Sequence, residues 1–245
     1  MMIKLVAFDI DNTIALHNKP ATKEVIELLQ ELTDEGIRIM LISGKPAIYI
    51  SGMVRQLGME DIIVSGENGA VIYYSNSVPP KEEILTDIKK YKIKTLAGMK
   101  MTLMKEYGSG IWLQPNNINI TCFPKDETVR QKLYEYVDRL EESEDFHKNF
   151  TVYRSNICIE IVPSEISKGN ALKKVMELEG IDKEETIAVG DSPNDFPMFE
   201  QCGISMGINI KGRYPVDCSF NNVTDAIKLI LEMVRKEADG IASGE

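Results

Sequence analysis

The stretch AFDIDNT, residues 7–13, closes the first apolar run of the chain, and that run has the composition of a buried strand. Side chains two residues apart on a strand point to the same side of the sheet, so Asp9 and Asp11 are expected to lie close together. Two neighbouring carboxylates repel each other and shift each other's pKa values. A fold tolerates such a pair more readily beside a cation, a metal or a reaction. The alternative is a strand-end aspartate followed by a turn, because Asp-Asn is favourable turn chemistry.

Residues 1–80 and 164–245 alternate between strand and helix patterns, whereas the residues between them do not. This βαβ alternation predicts an α/β fold, in which a parallel sheet carries helices on both faces. The predicted strands are residues 4–10, 37–43, 61–66, 70–74, 186–191 and 203–207, and the predicted helices are residues 21–36, 46–58, 168–180, 195–202 and 223–238.

Residues 81–163 break this pattern and predict an inserted α+β unit. A stretch rich in Lys and Met opens the unit. Residues 117–124 and 151–163 alternate in the manner of strands in a half-exposed sheet, and an amphipathic helix is predicted between them. We therefore expect a core domain made of residues 1–80 and 164–245, with residues 81–163 inserted as a second domain.

Polar and charged residues follow one predicted strand after another. Ligands of open α/β sheets bind at the carboxyl ends of the strands, so these side chains are expected to meet at one edge. The residues are Asp9, Asp11 and Thr13 after the first strand, Ser43, Gly44 and Lys45 after the second, residues 65–69 at the third, Lys168 at the start of a helix, and Asp191, Asn194 and Asp195 after the last.

Clustered carboxylates without histidine are hard oxygen ligands, which suit Mg²⁺, and Mg²⁺ in turn suits phosphate. The metal would offset the repulsion between Asp9 and a phosphate dianion. Ser43 and the backbone amides near Gly44 are candidate donors to phosphate oxygens, and Lys168 is a candidate positive charge. One carboxylate would then attack phosphorus while the other handles a proton.

Each of these residues also has a plain structural interpretation. Ser43 could cap a helix, Lys168 could be a solvated lysine, and Glu67 could be a turn residue. Asp191 and Asp195 could be loop and cap acids. All these interpretations would have to hold at consecutive strand ends, so the combined pattern favours a phosphate site.

Composition excludes several classes of protein. The 245 residues carry a net charge of -10, which argues against sequence-independent binding of nucleic acid. No apolar run approaches the roughly 20 residues of a membrane-spanning helix, so no membrane partner is expected. No two of the four cysteines have the CxxC spacing of a metal or redox motif. We expect reduced thiols in a cytoplasmic protein, with monomer and homodimer both left open.

Four short motifs occur in a fixed order: DIDNT at 9–13, LISG at 41–44, SKGNAL at 167–172 and GDSPNDFPMF at 190–199. In these motifs the sequence resembles the haloacid dehalogenase-like (HAD) superfamily of phosphatases. The place and composition of the insert are similar to a type C2 cap, as in subfamily IIB, the Cof-like hydrolases. The segment SGENGAVIYY is similar to archaeal-type phosphoglycolate phosphatases. The resemblance implies a Rossmann-like parallel sheet core with an inserted α+β cap domain.

The resemblance also implies a role for each matching residue. Asp9 would be the nucleophile that forms an aspartyl-phosphate, and Asp11 would protonate the leaving group and then activate water. The phosphoryl group would contact Lys168 together with Ser43, Gly44, Asn68 and Asn194. The implied Mg²⁺ ligands are Asp9, Asp191 and the backbone carbonyl of Asp11, and Asp195 would support them.

One residue departs from the family pattern. Asn12 stands where many relatives carry glycine. Asparagine tolerates left-handed backbone angles better than most residues, so no loss of activity is expected.

The sequence therefore predicts a Mg²⁺-dependent phosphatase whose partner is a small phosphorylated metabolite, either phosphoglycolate or a sugar phosphate. The alternatives are a phosphomutase of the phosphomannomutase type, which would need a bisphosphate activator, and a non-catalytic protein that binds phosphorylated metabolites. A signalling receiver phosphorylated on Asp is a further alternative, but its phosphorylated Asp would lie on a middle strand. No pattern within residues 81–163 identifies the substrate.

Overall fold

The computed structural model describes residues 2–74, 77–210, 212 and 214–242. The strands are β1 (Leu5–Phe8), β2 (Arg38–Ile42), β3 (Ile63–Gly66), β4 (Val71–Tyr74), β5 (Glu82–Leu85), β6 (Ile111–Leu113), β7 (Ile120–Pro124), β8 (Phe150–Arg154), β9 (Ile159–Pro163), β10 (Thr186–Gly190), β11 (Ile204–Ile208) and β12 (Cys218–Phe220). The helices are α1 (Lys23–Asp34), α2 (Ala47–Gln56), α3 (Lys90–Tyr107), α4 (Glu127–Glu141), α5 (Glu144–Asn149), α6 (Lys168–Glu179), α7 (Phe196–Phe199) and α8 (Val223–Ala242).

In the described part of the chain, eight strands form one sheet in the order β12-β11-β10-β1-β2-β3-β4-β5. Strand β1 pairs in parallel with β2 on one side and with β10 on the other. Pairing stays parallel from β12 to β3 and becomes antiparallel at β4 and β5. The predicted α/β fold with a mostly parallel sheet is confirmed. The carboxyl ends of β1, β2 and β10 therefore lie side by side.

Strand β1 is buried on both faces, as its continuous apolar composition indicates. Val6 and Phe8 pack in the cluster that contains the apolar faces of α1 and α8. Leu5 and Ala7 point the other way, into the cluster formed with α6 and α7. Because β1 lies between β10 and β2, the acids that follow it emerge near the centre of the sheet edge.

The insert forms a separate antiparallel sheet with the strand order β6-β7-β9-β8. Helices α3, α4 and α5 supply residues such as Leu103, Leu133 and Phe146 to its core. The predicted strand region 151–163 is two strands, because residues 155–158 form a turn in which the Ser155 N–H donates to the Cys158 carbonyl at 3.0 Å. The apolar run after this turn conceals it in the sequence.

The chain leaves the larger sheet a few residues after residue 81, where the insert was expected to begin. Strand β5 pairs with β4 and so belongs to the larger sheet. It is an edge strand whose glutamates face solvent, and charged edge strands are common because they discourage pairing with other chains. Its polar composition is the reason the sequence places it in the insert.

Candidate active site

The structure brings most of the predicted site residues to one cavity between the larger sheet and the insert. The cavity has a volume of about 460 Å³. Lys168, Asp195 and Asn68 lie behind its wall and are almost fully buried. The cavity is lined by Asp9, Asp11, Asn12, His17, Ser43, Gly44, Lys45, Gln114, Thr121, Phe123, Tyr153, Arg154, Ser155, Asn156, Ile157, Cys158, Glu160, Asp191, Ser192, Pro193 and Asn194.

Lys168 connects two carboxylates beneath the cavity. Its Nζ lies 2.5 Å from Asp9 Oδ1 and 2.5 Å from Asp195 Oδ1, and its side chain is 1% exposed. Burial alone would lower the pKa of this lysine, but the attraction of Asp195 and Asp9 outweighs burial and raises it. The ammonium therefore stays protonated, and the interpretation of Lys168 as a solvated lysine is wrong.

Helix α6 places Lys168 at this depth. Ser167 caps the helix by accepting the Asn170 N–H at 3.0 Å. Gly169 follows, and a Cβ added there would lie 3.0 Å from Pro197 Cβ. The missing side chain lets α6 approach α7 closely, which brings the first residue of the helix to the strand ends.

Asp195 organises the loop that follows β10. Its Oδ2 accepts the N–H groups of Asp191 at 2.8 Å and Ser192 at 2.9 Å. A Cβ on Gly190 would lie 2.5 Å from Asp195 Cγ, so the carboxylate needs the space that glycine leaves. Most of the hydrogen-bonding capacity of Asp195 is thus used within the protein, which suits a residue that holds the loop in place.

Three carboxylates form a cluster that suits a divalent cation. One oxygen each from Asp9, Asp191 and Asp195 lie within 4.8 Å of one another. An all-oxygen set of this kind is what hard cations such as Mg²⁺ prefer. Asp195 already accepts bonds from Lys168 and its own loop, so Asp9 and Asp191 offer the oxygens that a cation could take. The Asp11 carboxylate instead forms an ion pair with Lys45.

Burial also disfavours the ionised forms of the carboxylates in this cluster. Burial raises the pKa of Asp9 to about 7, with Asp195 and Asp191 adding to the rise and Lys168 opposing it. Burial likewise raises the pKa of Asp191 to about 6, and Asp195 adds to that rise. A bound cation would favour the ionised form of both groups, so the electrostatics and the donor set agree.

Ser43 does not cap the helix that follows it. The residue before α2 is Pro46, and no side chain caps that end of the helix. The Ser43 N–H donates to the Ser65 carbonyl at 3.0 Å, and Ser43 Oγ accepts the Lys45 N–H at 3.3 Å. Ser43 is buried at the cavity wall, and its own hydroxyl proton can be donated to a ligand there.

Asn194 and Asn68 are joined to each other through their amides. Asn194 Nδ2 donates to Asn68 Oδ1 at 3.1 Å and to Glu160 Oε2 at 3.3 Å. Asn68 Nδ2 donates to Glu160 Oε2 at 3.2 Å, and Asn68 does not line the cavity. The Nδ2 donors of both amides are thus engaged with protein acceptors.

Lys45 and Glu160 are among the cavity residues that were given no role from the sequence. Lys45 follows Ser43 and Gly44 at a strand end, which was a usable signal, and burial lowers its pKa. Glu160 faces the larger sheet from β9, and burial raises its pKa. Its signal was weaker, a single acid within the apolar run ICIEIVP.

Asn12 adopts the left-handed conformation expected of it, with φ of 59°. Its Oδ1 accepts the His17 N–H at 3.1 Å, which fixes the turn after the first motif. The expectation that asparagine at this position leaves the activity intact stays a prediction.

Comparison with known proteins agrees with this architecture. A model of the haloacid dehalogenase-like hydrolase family matches residues 6–156 and 115–209, so the match extends over both parts of the molecule. The chain belongs to the haloacid dehalogenase-like hydrolases. The resemblance to the HAD superfamily is confirmed, and so is the prediction of a hydrolase of the phosphatase type.

Individual relatives cover most of the chain. The phosphoglycolate phosphatase of Staphylothermus marinus is 29% identical over 216 residues, which are 84% of this chain and 85% of that protein. The phosphoglycolate phosphatase of Methanobrevibacter smithii is 25% identical over 244 residues, or 95% and 98% of the two chains. A haloacid dehalogenase-like hydrolase from B. subtilis has a TM-score of 0.71 at 19% identity over 92% of this chain and 99% of that chain, and this likeness concerns the fold.

The raised pKa of Asp9 predicts how the stability of the metal-free protein depends on pH. Between 3.8 and about 7 the folded protein holds this proton more tightly than the unfolded chain, so the free energy of unfolding falls as the pH rises. Thermal unfolding in EDTA should show Tm falling more steeply from about pH 4 to about pH 7 for the wild type than for Asp9→Asn. Asp34→Asn, an exposed control, should follow the wild type. Equal slopes for wild type and Asp9→Asn would contradict this electrostatic assignment.

Proposed function

We propose that this chain is a Mg²⁺-dependent phosphatase that hydrolyses small phosphate monoesters through an aspartyl-phosphate on Asp9. The observation that carries the proposal is the buried Lys168 ammonium held between Asp9 and Asp195, beneath a cavity that Asp191 also lines. The lysine and a divalent cation would together offset the charge of a phosphate next to these acids. Membership of the haloacid dehalogenase-like hydrolases supports the same chemistry.

In the first step we propose that an oxygen of Asp9 attacks phosphorus and the ester P–O bond breaks. Asp11, at the cavity wall, takes the proton that it shares with Lys45 and, in this protonated form, gives it to the departing oxygen. In the second step Asp11 takes a proton from water, the water oxygen attacks phosphorus, and the bond to Asp9 breaks. Inorganic phosphate and free Asp9 are the products.

Lys168, the Ser43 hydroxyl and the Gly44 backbone would bind the phosphoryl oxygens during both steps. They are fixed before substrate arrives, which is what makes such groups effective at stabilising developing charge. A Mg²⁺ bound by Asp9 and Asp191, with the Asp11 backbone carbonyl and the support of Asp195, would supply further neutralisation. Asn194 would face the phosphate from the cavity wall, and Asn68 would hold it there from behind through their mutual hydrogen bond.

The proposed substrate is a small phosphorylated metabolite, either phosphoglycolate or a sugar phosphate. Two relatives that match most of this chain are phosphoglycolate phosphatases, which supports the first option. The insert closes the cavity with Gln114, Phe123 and Tyr153, and such residues would select the leaving group. Among the described residues, no helix has both the length and the apolar composition needed to cross a membrane.

The proposal predicts that the wild type releases phosphate from members of a panel of phosphorylated metabolites in the presence of Mg²⁺. Asp9→Asn should lose this activity by about 10⁴-fold or more, because the nucleophile is removed, while it keeps the wild-type circular dichroism spectrum. The ranking of the panel would name the leaving group. Activity retained in Asp9→Asn would refute the nucleophile. Absence of release from any compound by the wild type would favour a phosphomutase or a binding protein.

The cation site is tested by removing the metal and one of its proposed ligands. EDTA should stop turnover, and added Mg²⁺ should restore it. By isothermal titration, Asp191→Asn should bind Mg²⁺ about 10-fold more weakly or worse, since one of the two accessible carboxylates is lost. Asp34→Asn carries the same charge change on an exposed helix position and should bind Mg²⁺ as the wild type does. Full activity in EDTA would contradict the metal role.

A further inference from the structure

The side chain of Glu67 joins the larger sheet to the insert. It belongs to the turn after β3 and is 2% exposed. Its two carboxylate oxygens accept the backbone N–H groups of Asn117 at 3.0 Å and Ile118 at 2.7 Å, in the loop between β6 and β7. Hydrogen bonds to an ionised acceptor are among the stronger ones in proteins. Each oxygen has its own donor, so the carboxylate fixes both the position and the orientation of this loop.

The same loop reaches the phosphate-binding segment on its other side. Asn116 Nδ2 donates to the Gly44 carbonyl at 3.1 Å, and Gln114 Nε2 donates to the same oxygen at 2.8 Å. Within the insert, Lys100 Nζ donates to the Asn116 carbonyl at 2.5 Å. The loop is therefore held by Lys100 from the insert and by Glu67 from the larger sheet, while two of its side chains hold Gly44.

The held carbonyl belongs to the peptide unit that connects Gly44 with Lys45. The N–H of that peptide donates to Ser43 Oγ, and the Lys45 ammonium pairs with Asp11. Rotation of this peptide would break the hydrogen bond from the Lys45 N–H to Ser43 Oγ and would also move the Lys45 side chain away from Asp11. The two amide donors from the insert thus restrain groups that the proposed reaction uses.

The backbone of the Glu67 turn is fitted against the same segment. Its N–H donates to the Lys45 carbonyl at 2.8 Å, and the Asn68 N–H donates to the Ser43 carbonyl at 2.9 Å. Glu67 and Asn68 have φ values of 52° and 59°, a left-handed conformation that side-chain-bearing residues seldom adopt. Such a conformation persists only where surrounding contacts determine it, and these hydrogen bonds do so.

We propose that Glu67 is a positioning residue for the phosphatase reaction: it docks residues 114–118 of the insert onto Gly44 and so orders the phosphate-binding segment. This inference rests on the proposed function. Glu67 itself does not line the cavity, so it acts through Gln114, Asn116 and the Gly44 peptide.

The test compares Glu67→Gln with Glu60→Gln, an exposed glutamate in the same part of the chain. Glutamine keeps the size of the side chain but presents an N–H₂ group to one of the two amide donors. Hydrogen exchange at Asn117 and Ile118 should become roughly tenfold faster in Glu67→Gln, because a charged acceptor is lost. With p-nitrophenyl phosphate, KM should rise roughly tenfold while kcat changes less than about threefold, since binding of ground state and transition state weakens equally.

The KM value separates positioning from a structural role. A variant that is only partly folded would show a lower kcat for the total protein and an unchanged KM. Unchanged exchange at Asn117 and Ile118, or faster exchange with a wild-type KM, would overturn the inference. If Glu67→Gln does not fold, Lys100→Met removes the other anchor of the loop and must raise both exchange and KM. A wild type without phosphatase activity would contradict the proposed function itself. An active wild type together with wild-type behaviour of Glu67→Gln would contradict only the role of Glu67.

Discussion

Two buried carboxylates and one buried ammonium group define the centre of this molecule. Lys168 is held between Asp9 and Asp195, and its removal would leave two buried negative charges facing each other. Burial of unpaired charge is among the most costly features a fold can contain. The lysine compensates only part of this charge, because burial still raises the pKa values of Asp9 and Asp191. A divalent cation would neutralise the remaining negative charge. The same buried carboxylates therefore destabilise the metal-free fold and carry the proposed chemistry.

The fold supplies the means to hold that cluster. Parallel strands end at the same edge of a sheet, so the segments after β1, β2 and β10 meet there without any long connection. Two glycines allow close packing at this edge. Gly169 leaves room for helix α7, and Gly190 leaves room for the Asp195 carboxylate. The insert then covers the edge and contributes its own hydrogen bonds to Gly44. The cavity at the strand ends is thus bounded by both the larger sheet and the insert.

The sequence predicts the placement of residues that follow a strand or begin a helix, because local patterns reveal both. Asp9, Ser43, Lys168 and Asp191 reach one edge for that reason. Contacts between distant segments leave no such pattern. Glu67 meets an amide 50 residues away, and a turn acid that docks the insert has the same local sequence as one that faces solvent. Strand β5 and the turn after β8 were missed because exposed charge in one case and a continuous apolar run in the other hid the local signal.

The most direct measurement of the central claim is mass spectrometry of the Asp9-containing peptide after acid quench during turnover of a substrate from the phosphate panel. The account predicts that this peptide carries one added phosphoryl group on the Asp9 side chain, and that Lys168→Met greatly reduces its accumulation. A wild type that turns over substrate while the peptide stays unmodified at every quench time, or that carries the phosphoryl group on another residue, would contradict the account.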